Sequence, residues 1–235
     1  MDLQGFEMAG RRWKHIRNSL SRITRKGFRA VWRRPPLDGS LMRMLKQVSD
    51  DWLYFQGGDE KAFSLGWFDT EKLKDNPVIT VEDEAGTIYA FANFVPMYTL
   101  SQASPDMMRF SRRAPGGIMD FLFIQSILYF KEKGMAGFNM GLAPLAHAGK
   151  EESSSIAERA VRYLYDNLYN FKGLHEFKAK YSPCWEPRFL IYPHLAVLPK
   201  VVLAVVRAGN PTGLKKFWRW WFVRAKHRDA DSPAA

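Results

Sequence analysis

A single carboxylate in the opening turn of an otherwise oily helix constrains this chain more than any other feature. In Gly117-Ile118-Met119-Asp120-Phe121-Leu122-Phe123, Asp120 lies among apolar side chains. An ionised group there has to be partnered, or it is costly. Further on, Phe138-Asn139-Met140-Gly141-Leu142-Ala143-Pro144-Leu145 reads as a short buried strand that ends on polar and glycine residues. The two runs together predict a strand-and-helix site that handles a polar group.

The rest of the chain is able to house such a site. At 235 residues it is long enough for one large domain, or one domain with helical additions. Hydrophobic residues make up 46% and aromatics 14%, which is enough for a well-filled core. The lone cysteine, Cys184, excludes an intrachain disulfide framework and fits a reducing compartment. It has no partnering base nearby in sequence, so it reads as an inert thiol. The five histidines are scattered without metal-ligand spacing, so no metal site is expected. His147, in a Gly/Ala loop, remains an outside candidate for a base.

The net charge of +11 sits at the two ends. Residues 1–36 hold ten Lys/Arg against two acids, and residues 207–228 hold seven with no acid. The stretch between is close to neutral, with eighteen basic and twenty acidic residues. A neutral body between two basic ends points to a polyanionic partner, either phosphodiester backbone or anionic lipid headgroups; a merely solvated basic surface is the competing account. Met1 to Lys14 lacks the apolar core of a signal peptide. No run reaches the roughly 18–20 apolar residues that span a bilayer, and Leu195 to Val206 is broken by Pro199 and Lys200.

Periodicity predicts a basic amphipathic helix over 10–32, with Trp13, Ile16, Leu20, Ile23 and Val31 on one face and Gly27 as its weak point. Pro35-Pro36 ends it, and Asp38-Gly39-Ser40 offers a turn and cap for a second helix over about 40–55. Strands are expected at 77–81 and 87–95, joined by the turn at 83–86, and again at 107–111. A helix then ends near Gly134, followed by a strand at 136–142, a helix near 153–169, a basic segment at 174–180 and a strand at 185–192. This order predicts an α/β (α+β) domain of the GNAT acyltransferase type, a mixed, mostly antiparallel sheet flanked by helices. The expected organisation is a basic helix and linker over 1–36, a GNAT-like domain over 37–194, an apolar and aromatic-basic segment over 195–228, and a disordered tail over 229–235.

Several ordered motifs carry a resemblance. They are Gly10-Arg11-Arg12-Trp13 with Arg17-Asn18, the Gly117–Phe123 and Phe138–Leu145 runs, Tyr169-Asn170-Phe171-Lys172-Gly173-Leu174, Phe177-Lys178-Ala179-Lys180-Tyr181, and Trp185-Glu186-Pro187-Arg188-Phe189 with Tyr192-Pro193. Over about residues 5–195 the chain resembles the C-terminal catalytic domain of phosphatidylglycerol lysyltransferases, the multiple peptide resistance factors. The resemblance implies transfer of lysine or alanine from aminoacyl-tRNA to a glycerol hydroxyl of phosphatidylglycerol at the cytoplasmic membrane face. That reaction lowers membrane negative charge and resists cationic antimicrobial peptides. The implied donor is aminoacyl-tRNA, and no cofactor is needed. The family plan also has a first GNAT-like domain and a multi-span flippase domain, for which this chain has no room. A partner chain supplying either one follows as an expectation.

Ester exchange of this kind needs a lipid hydroxyl deprotonated as it attacks, a stabilised oxyanion, and a proton for the leaving ribose oxygen. Asp120 is the first candidate, placed to bind an ammonium or relay a proton; a carboxylate satisfying helix-start amides is its structural alternative. Asn139, at a strand end, offers an amide to the carbonyl, and Lys178 completes the catalytic set. Arg112 and Arg113 beside Pro115-Gly116-Gly117 are similar to the phosphate-cradling loop of acetyl-CoA-dependent relatives. In the resembled family that groove would face tRNA or lipid phosphate. Lys178 and Lys180 are expected to neutralise phosphates, with Tyr181 or Trp185 stacking a base. Glu186 is placed to contact a lysyl amine or to pair with Arg188. Trp218, Trp220 and Trp221, interleaved with cations, suit the headgroup zone of an anionic phospholipid membrane. Two rival functions stand beside this one: an acyl-CoA-dependent N-acyltransferase, and a non-catalytic relative that binds membrane or tRNA.

Overall fold

Gly27 decides how the chain enters its fold. The computed structural model describes residues 1–55, 66–143, 171–181 and 183–198, with positions 200, 201 and 204. The helix expected over 10–32 stops short: a 3-10 turn at Arg11–Trp13 leads into α1, Lys14–Arg25. Gly27 then takes a left-handed φ of +80°. Its N–H donates to Thr24 O at 2.9 Å and that of Phe28 to Ile23 O at 3.4 Å, the paired bonds of a glycine-terminated helix end. The chain reverses here, and Val31, counted above on the helical stripe, lies instead in strand β1, Arg29–Arg33. Asp38 caps the next helix as expected, accepting from the N–H groups of Ser40 and Leu41 at 2.8 and 2.9 Å. That helix is α2, Gly39–Phe55, and a single turn, α3, follows at Thr70–Leu73.

Strands β2 (Val78–Glu82), β3 (Ile88–Met97) and β4 (Gln102–Phe110) form an antiparallel meander onto which β1 pairs. Glu82 is buried on β2, and Arg29 and Arg33 reach back from β1 to it at 2.9 and 2.5 Å. Helix α4, Ile118–Glu132, crosses over and delivers β5, Gly137–Phe138, parallel to β4. The five strands lie in the order β1-β2-β3-β4-β5. One sheet face carries the larger core, with Ile16 and Ile23 of α1 against Ile118, Phe121, Leu122, Ile124 and Ile127 of α4. The other face is covered by α2 through Leu41, Leu45 and Val48, which pack on Val78, Phe91 and Met107. Helix α4 is apolar nearly all round because it is enclosed nearly all round.

Three expectations change in the last third of the chain. The strand at 136–142 is cut to two residues, because Asn139 accepts the Gly141 N–H at 2.8 Å and Gly141 turns away at a φ of +70°. The basic segment at 174–180 belongs to a helix, α5, Phe171–Ala179. The strand at 185–192 does not form; residues 183–192 lack regular structure. The edge of β5 that a further strand would pair with is taken by residues 1–3, with Phe138 N–H donating to Met1 O at 2.9 Å and Leu3 N–H to Ala136 O at 3.0 Å. The helix expected near 153–169 and most of the 195–228 segment, including Trp218, Trp220 and Trp221, lie outside the described residues.

The joint between α1 and α4 leaves no room for a side chain at Gly117. Gly117 begins α4 at a φ of +92°, and a Cβ built there would stand 2.2 Å from Ser19 Oγ. Gly117→Ala should therefore cost about 2–4 kcal/mol in chemical denaturation, from steric overlap plus left-handed strain. Adding Ser19→Ala should recover the steric part and leave about 1 kcal/mol. Ser19→Ala alone should be neutral or stabilising, because that buried hydroxyl has no partner among the described residues.

Candidate functional site

Strands β4 and β5 part company almost as soon as they meet. They pair at Gln102 with Gly137 and at Ala103 with Phe138, and Asn139 N–H adds a bond to Ala103 O at 2.8 Å. Beyond that point β4 runs on to Phe110 while β5 turns off at Gly141, so the sheet opens into a notch. The first turn of α4 and the end of α5 converge beside it.

Rings set the approach of α5. Phe177 and Tyr181, one helical turn apart, pack on Phe123 of α4 at centroid distances of 5.6 and 4.6 Å, and Phe123 meets Phe138 of β5 at 5.3 Å. This brings the Tyr181 hydroxyl to Asp120, where it donates to Oδ1 at 2.6 Å. Lys180 Nζ lies 3.4 Å from the same oxygen. Asp120 is only 6% exposed. Among the described residues its Oδ2 accepts no hydrogen bond. Burial pushes the Tyr181 phenol well above its usual range, and the adjacent Asp120 charge and hydrogen bond add to this. It therefore stays a neutral donor to the carboxylate.

Lys178 is in the opposite situation. Its side chain is buried, the residue being 5% exposed, and among the described residues its one hydrogen bond is to the carbonyl of Leu142, at 2.6 Å. Burial lowers its pKa from 10.5 to about 8. A sizeable neutral fraction at physiological pH lets an amine accept or return a proton. The turn that presents the Leu142 carbonyl is the one Asn139 stabilises through Gly141. A Cβ at Gly141 would sit 3.7 Å from Lys178 Nζ, so the backbone approaches the ammonium closely.

The structure thus brings together Asp120, Lys178, Lys180 and Tyr181, with Asn139 shaping the loop beside them. It corrects two expected roles. Tyr181, 1% exposed, is unable to stack a base. Lys178 is equally unable to meet a phosphate at the surface. Arg112 and Arg113 are exposed and belong to the α2 side: Asp51 accepts from Ser111 Oγ at 2.5 Å and from Arg112 N–H at 2.8 Å, and the Arg112 guanidinium lies 6.0 Å from the Tyr54 ring. The Ser111 hydroxyl chiefly holds the Asp51 carboxyl below its ordinary range. Gly117 is packed on Ser19 instead of facing an open cradle, and Arg22 donates to Gly116 O at 2.9 Å. Glu186 pairs with Arg188 at 3.0 Å on the exposed surface, and Trp185 stacks on His175 at 4.8 Å. Sequence reasoning missed the Leu142 carbonyl and the Phe123–Phe177–Tyr181 wall; helical spacing over 171–181 was the available signal.

A curled, mostly antiparallel five-stranded sheet with a β4–β5 notch and helices on both faces defines a GNAT-like domain. The match is close in solved structures: the L-PGS of Bacillus licheniformis, with a TM-score of 0.74 and 37% identity, and the C-terminal domain of a protein described as a lysylphosphatidylglycerol synthetase from Agrobacterium fabrum, with 0.77 and 36%. Each comparison covers 89% of this chain and 63% of the other. Residues 1–192 match the family model for the phosphatidylglycerol lysyltransferase C-terminal domain, and the chain belongs to that family. The phosphatidylglycerol lysyltransferase of Bacillus subtilis (strain 168) is 38% identical over 210 residues, and that of Staphylococcus haemolyticus (strain JCSC1435) 34%. These alignments cover 88% of this chain but 24% and 25% of those proteins, so the chain spans about a quarter of their length.

Two outcomes follow from the site. Tyr181→Phe should lower stability by about 1–3 kcal/mol, since it strips a buried carboxylate of its shortest hydrogen bond. Lys178→Met should be as stable as the parent or more so below pH 8, where the parent holds a buried ammonium at a cost. Between about 8 and 10.5 the unfolded parent binds more protons than the folded one, so parental stability rises with pH and the advantage of Lys178→Met shrinks. Urea titrations across that range check the sign.

Proposed function

We propose that this domain transfers an aminoacyl group from aminoacyl-tRNA to a hydroxyl of phosphatidylglycerol or a related lipid, at the cytoplasmic face of the membrane. The observation that carries this is that one segment both clamps the Asp120 carboxylate, through Tyr181 and Lys180, and holds a buried lysine, Lys178, whose pKa lies near 8. Membership of the phosphatidylglycerol lysyltransferase family supplies the reaction class.

In this reading neutral Lys178 takes the proton of the lipid hydroxyl as its oxygen attacks the aminoacyl ester carbon. The tetrahedral intermediate then collapses, the bond to the ribose oxygen breaks, and the Lys178 ammonium returns the proton to that oxygen. Asp120, held by Tyr181 and Lys180, offers Oδ2 to the ammonium of the aminoacyl group. Lys180, half-exposed, faces phosphate. Neither metal nor cofactor enters the scheme. The cations of the N-terminal 36 residues engage the tRNA, and the three quarters of the relatives' length outside the match correspond to further domains or a partner chain.

One observation weighs against the acyl-CoA alternative. Ser19 and Arg22 of α1 pack on the Gly116–Gly117 turn, where a coenzyme A pyrophosphate would seek helix-start amides. Incubation with radiolabelled lysyl- or alanyl-tRNA and phosphatidylglycerol should give lipid-soluble label, while calorimetry with coenzyme A should give no heat. Asp120→Asn and Lys178→Met should each reduce transfer about 100-fold or more with the fold intact. Absence of lipid-soluble label with every aminoacyl donor, in the presence of intact tRNA and vesicle binding, would assign the chain to a non-catalytic binding role.

A further inference from the structure

The geometry points to the Phe189-Leu190-Ile191 ribbon as a wedge that enters the surface of an anionic phospholipid bilayer, docking the site against its acceptor. The inference rests on the lipid acceptor of the proposed function, and nothing else here assigns a role to these residues. Phe189 is 82% exposed, Leu190 54% and Ile191 91%. A run without regular structure that lay on the core would bury at least some of its apolar side chains; here all three are exposed. Three adjacent bulky apolar side chains facing solvent are costly in water, and they mark an interaction surface.

Three observations select lipid as the occupant. First, the ribbon carries no net charge to repel an anionic surface: Glu186 and Arg188 neutralise each other at 3.0 Å. Second, the chain that follows supplies the complement to anionic headgroups, with seven Lys/Arg and no acid over 207–228. Third, the ribbon is tethered to the site. Trp185, itself 40% exposed, stacks on His175 of α5, the helix that leads into Lys178, Lys180 and Tyr181. Phe189 lies eight positions beyond Tyr181, a reach of at most about 29 Å. An exposed aromatic next to adjacent apolar side chains, in a chain whose following sequence is rich in cations, is the composition that holds a peripheral protein at an interface.

The test uses the full chain with Phe189, Leu190 and Ile191 each changed to Ser, which leaves the buried core untouched. Sedimentation with phosphatidylcholine vesicles containing phosphatidylglycerol should show affinity falling at least about tenfold. Transfer to phosphatidylglycerol dispersed in detergent micelles should be unchanged, while transfer to vesicle-borne lipid falls with binding. In a Cys184→Ser background, an environment-sensitive fluorophore on Ile191→Cys should shift to the blue when vesicles are added. Unchanged vesicle affinity of the triple variant, or no shift from the label on bound protein, overturns the wedge. So does a lipid-free dimer of the parent, seen by sedimentation velocity, that the triple variant abolishes, since the occupant is then a second copy. If the parent shows no transfer to either lipid form, the transferase reading fails, while the binding and fluorescence results still decide the wedge.

Discussion

Burying the Asp120 carboxylate imposes a debt that the surrounding structure has to discharge. The group sits in the first turn of an apolar helix, enclosed by sheet, α1 and α5, and an ionised oxygen there needs donors of its own. Its donors come from sixty residues away, through Tyr181 and Lys180. Their delivery requires α5 to lie on α4, and the Phe123–Phe177–Tyr181 rings hold it there. That position in turn puts Lys178 against the Leu142 carbonyl and closes one wall of the β4–β5 notch. The site and this part of the core are therefore one construction, and the polar contact is affordable only because the aromatic contact surrounds it.

Two lysines only two residues apart in the same segment acquire different chemistry from this packing. Lys180 is partly in water and lies 3.4 Å from the Asp120 carboxylate. Lys178 points inward, with a carbonyl as its acceptor and no carboxylate among its contacts in the described residues. Burial is what sets its proton affinity near that of a physiological acid–base group. The division of labour between a fixed charge and a titratable amine is thus a matter of helical direction, since residues two apart point to different sides.

Much of this was legible in the sequence, and the failures have physical causes. Asp120 was singled out because a charge in an oily helix demands an account, and Asp38 because its cap pattern is local. The GNAT-like order followed from strand and helix periods that hold over β2, β3 and α4. Gly27 was noted as a weak point, yet a helical stripe running through it to Val31 hid the reversal; only pairing with β2 reveals that 29–33 is a strand. Read by charge alone, 174–180 gives Tyr181 and Lys178 surface roles. Read by helical period, Phe177 and Tyr181 fall on one face and demand burial. The missing strand at 185–192 was beyond sequence reasoning altogether, since its vacancy depends on residues 1–3 occupying the edge of β5.

The placement of α1 bears on which polyanion its cations suit. Its inner face is committed to the start of α4, with Ser19 against Gly117 and Arg22 on the Gly116 carbonyl. Lys14, Arg25 and Lys26 are exposed, joined by Arg11 and Arg12 of the preceding turn. From Lys14 to Arg25 the helix rises about 16 Å, so these cations are strung along an axis instead of converging on one point. A single phosphate or pyrophosphate gains from convergence, because only charges within several ångströms add usefully to its binding. A row of cations gains from a ligand that repeats its charge at intervals, as a nucleic-acid backbone does, each contact releasing counter-ions of its own. The helix that closes the small-anion cradle at Gly117 is the same helix that displays this row, so a long polyanion fits this end of the domain better than a compact one.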